Sequence, residues 1–209
     1  VYRRSPDPDA FLKGRENLIY GTAPIPPLEV DKANSIENRL VKALIYLNKT
    51  YPKEGWGAYL NGDEPAWSKL VLSGLSQGGG HACLMGIQHP VARVLMFGAP
   101  KDYSLRFNQP AKWLSLPPET PITRFFCFVH SGDEHHGCTY KQQVQNYRAL
   151  GLYPRFPIVD VENSAPPYNH TRLLTAHTPA DIPKHNHGMV AGATMFTPAW
   201  KYLLTEPCP

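Results

Sequence analysis

Apolar residues along this chain fall into two rhythms. Ile36, Leu40, Leu44 and Leu47 recur at the three-to-four-residue spacing of one helix face, opened by Ser35 with Asn38 behind it and ended by Pro52. Further on, short continuous apolar runs take over in "KLVLSGL", "VARVLMFGAP", "ITRFFCFVHSGD" and "RFPIVDV". Runs of that kind suit strands buried on both faces. Between them "GGGHACLMGIQH" reads as a helix of small residues and "YKQQVQNYRALG" as a helix stopped by Gly151. The segment "GMVAGATMFTPAWKYLL" predicts a closing helix kinked at Pro198.

Strands and helices thus alternate, with connections too long for hairpins. The expected architecture is α/β: a mostly parallel sheet with helices on both faces, joined by right-handed crossovers. Residues 1–35 break the pattern. Their "TAPIPPLEVDKAN" is unable to form a helix or a central strand, so the segment reads as a proline-rich, mostly irregular arm carrying at most the short element "ENLIYG". Residues 36–209 form the core in this reading.

Composition narrows the class. At 209 residues, 42% hydrophobic and 18% charged, the chain suits one folded domain. Its net charge of +4 comes from scattered residues without a Lys/Arg run, which argues against a nucleic-acid partner. No apolar stretch has the length of a membrane span, and "VYRRSPDPDA" lacks the apolar core of a signal peptide. Because the sequence begins with Val1 rather than Met, residues upstream are expected. Cys83 and Cys127 lie in apolar segments and read as buried hydrophobes, whereas a bridge between Cys138 and Cys208 is sterically open. Nothing fixes the compartment. Such a bridge would point to an oxidising one, secreted or periplasmic, where the sequons at Asn48 and Asn169 would also matter.

The candidate chemistry begins at Ser76. It sits where a buried run meets a small-residue helix, with Gly74, Gly78, Gly79 and Gly80 around it. That arrangement predicts a turn tight enough to push the serine side chain outward. A glycine-rich phosphate loop is the other reading, but no Lys-Ser/Thr pair closes the motif. A serine hydroxyl needs a base to take its proton, and the base needs a third group to hold its tautomer. In an open parallel sheet such groups come from loops behind the strands' carboxyl ends. "FVHSGDEHHG" supplies Asp133 there, and a long loop ending in "KHNHGMVAG" supplies His187. Glu134 and Asp102 compete with Asp133, while His170, His177 and His185 compete with His187.

With Ser76, Asp133 and His187 in that chain order, each behind its own strand, the sequence resembles the α/β-hydrolase superfamily over residues 36–204. The resemblance implies hydrolysis of a carboxylic ester through an acyl-serine intermediate, without cofactor or metal. Ser76 would attack, His187 would move the proton and Asp133 would support the imidazolium. The Gln77 N–H would bind the oxyanion. Small-molecule or polymeric esters are the implied substrates, with no large lid over the cleft. Trp56, Tyr59, Trp67, Trp113 and Tyr168 fall in predicted loops and are candidates for lining the substrate pocket.

The first half of that superfamily's sheet has no counterpart here. The serine strand is therefore expected to sit at a sheet edge, covered by the arm, by a missing N-terminal segment or by a second copy of the chain. Two rival readings remain open. One is a scaffold or binding protein that keeps the fold without turnover. The other is a metal site drawn from His135, His136, His185 and His187 beside Asp133, although neither histidine pair has helical ligand spacing.

Overall fold

The computed structural model describes residues 2–22, 24–180 and 185–208. Its centre is a five-stranded parallel sheet. The strands are β1 (Val71–Leu75), β2 (Arg93–Phe97), β3 (Phe125–His130), β4 (Ile158–Asp160) and β5 (Leu173–Ala176), in the spatial order β1-β2-β3-β5-β4. The helices are α1 (Ala10–Tyr20), α2 (Ile36–Thr50), α3 (Gln77–Gln88), α4 (Tyr140–Ala149), α5 (Asn186–Gly192) and α6 (Thr197–Thr205). The expected α/β class is what the chain adopts.

Strand β3 shows why both faces must be covered. Alternate side chains point to opposite faces of a strand. Phe125, Cys127 and Val129 join a cluster with Ala82 and Leu84 of α3, whereas Phe126 and Phe128 join Val190 of α5 with Ala199, Tyr202 and Leu203 of α6. All six residues of β3 are buried, and burying each phenylalanine contributes about 2 kcal/mol.

Local signals set the helix ends, at Ser35 and Gly151 as read from the sequence. Ser35 Oγ accepts the Asn38 N–H at 3.2 Å and starts α2. Thr139 and Gln142 cap α4 reciprocally, and Gly151 (φ 78°) turns the chain just after it.

Three expectations need correction. A fifth strand, "LLTA" at Leu173–Ala176, lies between β3 and β4. Four residues carry too little periodicity to mark a strand, and pairing on both sides supplies what local propensity lacks. The closing segment is two helices rather than one kinked helix. It breaks after Gly192, and Pro198 sits in the first turn of α6, where its missing N–H costs nothing. The arm is also more ordered than proline content implied. It holds the 11-residue helix α1, stopped by Gly21 at φ 67°, and Ile19 is fully buried in the α3-side core.

The arm does not pair with β1, which remains a sheet edge. Val71 and Leu75 on that strand are 50% and 39% exposed. Helix α1 instead lies against α2 and α3.

Candidate active site

At the end of β1 the chain turns through Ser76 with φ 57° and ψ −116°, a conformation that non-glycine residues rarely hold. Its N–H donates to the Phe97 carbonyl of β2 at 2.8 Å, so the corner is anchored to the next strand. The turn is possible because there are no side chains inside it. A Cβ at Gly74 would lie 2.2 Å from the Gly78 carbonyl carbon, and one at Gly79 would lie 2.6 Å from the Ala99 Cβ. Gly78 itself faces open space, and a Cβ there would meet nothing within 4 Å. Ser76 is half-buried at the start of α3, where the N–H of Gln77 belongs to the unpaired first turn of the helix.

Asp133 and His187 come together as the sequence anticipated. His187 Nδ1 and Asp133 Oδ2 are 2.8 Å apart, and the carboxylate side chain is fully buried. Asp133 accepts three more hydrogen bonds: from Lys101 Nζ at 2.6 Å and the His135 N–H at 3.0 Å on Oδ1, and from Gln143 Nε2 at 3.1 Å on Oδ2. Burial alone pushes its pKa up. The hydrogen bonds from His187 and Lys101 outweigh burial and hold the carboxyl well below the usual range.

The imidazole packs over the glycine that follows β2. A Cβ at Gly98 would sit 2.7 Å from His187 Cε1, and Gly98 has φ 52°. Ser76 is bonded to Phe97, the residue before it, so serine and imidazole flank one backbone corner. The hydrogen bond between them is not formed: His187 Nε2 is buried without a partner among the described residues. His135 stacks on the other side of the ring with centroids 4.6 Å apart.

The competitors are engaged elsewhere. His170 is exposed and bonds Glu206 at 2.8 Å. His177 sits 2.7 Å from Asp160 and 2.8 Å from Glu162, tying the chain after β5 to the edge strand β4. Among the described residues these three form the close histidine–carboxylate cluster, and Glu162 also accepts the Thr178 N–H at 2.9 Å. The metal set drawn around Asp133 gains no such support, since every lone-pair position of Asp133 is taken. Glu134 and His185 are exposed. Residues 181–184, within the loop that leads to His187, lie outside the described residues.

Asp102 is buried but belongs to a different network. It accepts Arg15 Nε and Nη2, each at 2.6 Å, and Trp113 Nε1 at 2.9 Å. Arg15 also donates to the Gln77 carbonyl at 3.2 Å and lies 3.4 Å from His81 Nδ1. Burial, reinforced by the neighbouring guanidinium, lowers the His81 pKa to about 4.

Beside Ser76 opens a cleft of about 700 Å³. Phe11, Leu18 and Leu28 of the arm and Leu75 of β1 give it an apolar wall, and Arg3, Arg15 and Lys101 give it a polar end. The aromatic residues proposed from sequence line it in no case. Trp113 is 2% exposed and its indole is spent on Asp102. Tyr168, 3% exposed, packs edge-on against Tyr202 in the α6-side core. Trp56 and Tyr59 lie in a turn packed on α2, and Trp67 stacks on His89. The four cysteines are free, so Cys138 and Cys208 stay unbridged.

Sequence reasoning missed Arg15 and Lys101, and it considered His135 only as a metal ligand rather than as the ring stacked on His187. Arg15 was hidden in a segment read as irregular. Lys101 had a signal, since it directly precedes Asp102 behind β2. Compared with family models, with curated proteins and with solved structures, the chain matches none.

Proposed function

We propose that this protein is a serine hydrolase acting on carboxylic esters, with Ser76, His187 and Asp133 as its triad on a shortened α/β-hydrolase-like sheet. The observation that carries this reading is the state of the His187 ring. Asp133 fixes one nitrogen, and the other is buried and unpaired among the described residues, in a ring packed on Gly98, the residue after the one whose carbonyl holds the Ser76 N–H. A buried polar atom without a partner is costly, and a catalytic role is one reason for a fold to keep it.

In this reading Ser76 Oγ gives its proton to His187 Nε2 as it bonds to the ester carbonyl carbon. The carbonyl oxygen becomes an oxyanion that accepts the Gln77 N–H at the start of α3. Arg15 holds the carbonyl of that same residue and so fixes its orientation. Collapse breaks the bond to the alcohol, which leaves with the proton from His187. Water then repeats the sequence on the acyl-serine and restores the enzyme. Asp133, held ionised, supports the imidazolium in both halves. The apolar wall suits an acyl or alkyl portion of the ester.

A fluorophosphonate probe followed by mass spectrometry tests the reading. Label is expected on Ser76 and absent after Ser76→Ala, which is expected to lower chromogenic-ester turnover by about 10⁶-fold. Equal turnover in the two proteins sinks the proposal and leaves a non-catalytic scaffold.

A further inference from the structure

We infer that Lys101 is a positioning residue that holds the acid and makes the His187 imidazole a weaker proton acceptor, extending its free-base state to lower pH. The inference rests on the triad reading above, and it stands on the following geometry.

Lys101 is 9% exposed, and its ammonium lies 2.6 Å from Asp133 Oδ1 and 3.4 Å from His187 Nδ1. Its place is fixed from several sides. Asn146 and Tyr147 of α4 donate to the carbonyls of Pro100 and Ala99 at 2.9 and 3.2 Å, and Arg3 Nη2 donates to the carbonyl of Lys101 itself at 3.1 Å. A long, rotamer-rich side chain held this way has surrendered conformational entropy to stay beside the acid.

Two electrostatic effects follow, and they have the same sign. A cation near the ring disfavours the imidazolium directly. The same cation neutralises the carboxylate that would otherwise stabilise it. Burial lowers the pKa of the ammonium, and Asp133 opposes that fall. The other titratable or charged groups facing Lys101 and the ring are His135 on the outer face of the imidazole, Arg3, Cys138 and Asp102. Burial pushes the Cys138 thiol upward, leaving it neutral, and Asp102 is paired with Arg15. Lys101 is therefore the cation in direct contact with the acid.

The test compares the wild type with Lys101→Met and Lys101→Arg from about pH 5 to about pH 9. kcat/KM on a chromogenic ester gives one profile. The His187 Cε1–H resonance gives a second that needs no turnover. The Met variant is expected to move both midpoints up by about one pH unit, and the Arg variant is expected to return them near the wild-type position. A lysine with a merely structural role would lower thermal stability and leave the midpoints in place. An unmoved resonance midpoint in a folded Met variant overturns the inference whether or not ester is cleaved. A shifted resonance in a protein that never labels at Ser76 keeps the role of Lys101 and removes the hydrolase reading. If Lys101→Met does not fold, Lys101→Gln, which keeps a donor for Asp133 without the charge, carries the same expectation.

Discussion

Two buried aspartates follow the neighbouring strands β2 and β3, and each is bound by a cation at 2.6 Å. Asp102 faces a guanidinium two-pronged and an indole N–H, and every partner is a fixed donor. Asp133 faces an ammonium, an amide, a backbone N–H and an imidazole. The difference lies in that last group, a ring that spends Nδ1 on the carboxylate and keeps a second nitrogen, Nε2, without a partner among the described residues. A closed set of permanent donors makes a clamp, and a set containing an imidazole makes a site. The clamp ties α1 to the start of α3, and with it the arm residues that wall the cleft. The other network leaves His187 Nε2 buried and unpaired among the described residues.

The sharpest test of that contrast exchanges one aspartate at a time for asparagine. Asp133→Asn is expected to lower kcat by about 10⁴-fold, because an amide no longer holds the required tautomer of His187. Asp102→Asn is expected to act mainly on stability, with a loss of about 3–5 kcal/mol in chemical denaturation, since it strands the buried Arg15. Equal kinetic losses in the two variants would erase the distinction.

A smaller effect probes the clamp from its far side. A Cβ at Gly80 would lie 2.0 Å from Arg15 Nη2, and the guanidinium is pinned by Asp102. Gly80→Ala is expected to cost up to about 3 kcal/mol in stability, read by thermal melting. Combining it with Arg15→Ala should recover most of that cost.

The smallest effect is one of pH. His81 beside the clamp has a folded pKa of about 4, below its unfolded value of about 6.5. Its contribution is thus complete above about pH 6.5 and is lost as pH falls toward the folded value. Stability is expected to drop by roughly 1–2 kcal/mol between about pH 7 and pH 5, and His81→Gln is expected to flatten that portion of the curve. An unchanged slope in the variant would show that burial and the guanidinium do not disfavour the charged ring.

Much of this was legible along the chain because it depends on neighbours in sequence. The glycines about Ser76, the apolar runs of β1, β2 and β3, the cap at Ser35 and the stop at Gly151 are each local. The pairing of Asp133 with His187 was also anticipated, since both follow strand ends and the sheet topology converges such loops. Strand β5 was not legible, because four residues become a strand only through the partners on either side.

What the sequence determined by itself was the α/β class, the strained corner and a short set of acids and bases. Which acid joins which base was decided only in three dimensions. Asp102 and Asp133 look alike as residues behind strands, and their roles diverge through contacts 87 and 54 positions away along the chain. The same holds for the cleft, whose wall comes from an arm that proline content had marked as irregular. The physical reason is range: backbone conformation responds to the nearest few residues, whereas charge pairing and burial respond to whatever folding brings within a few ångströms.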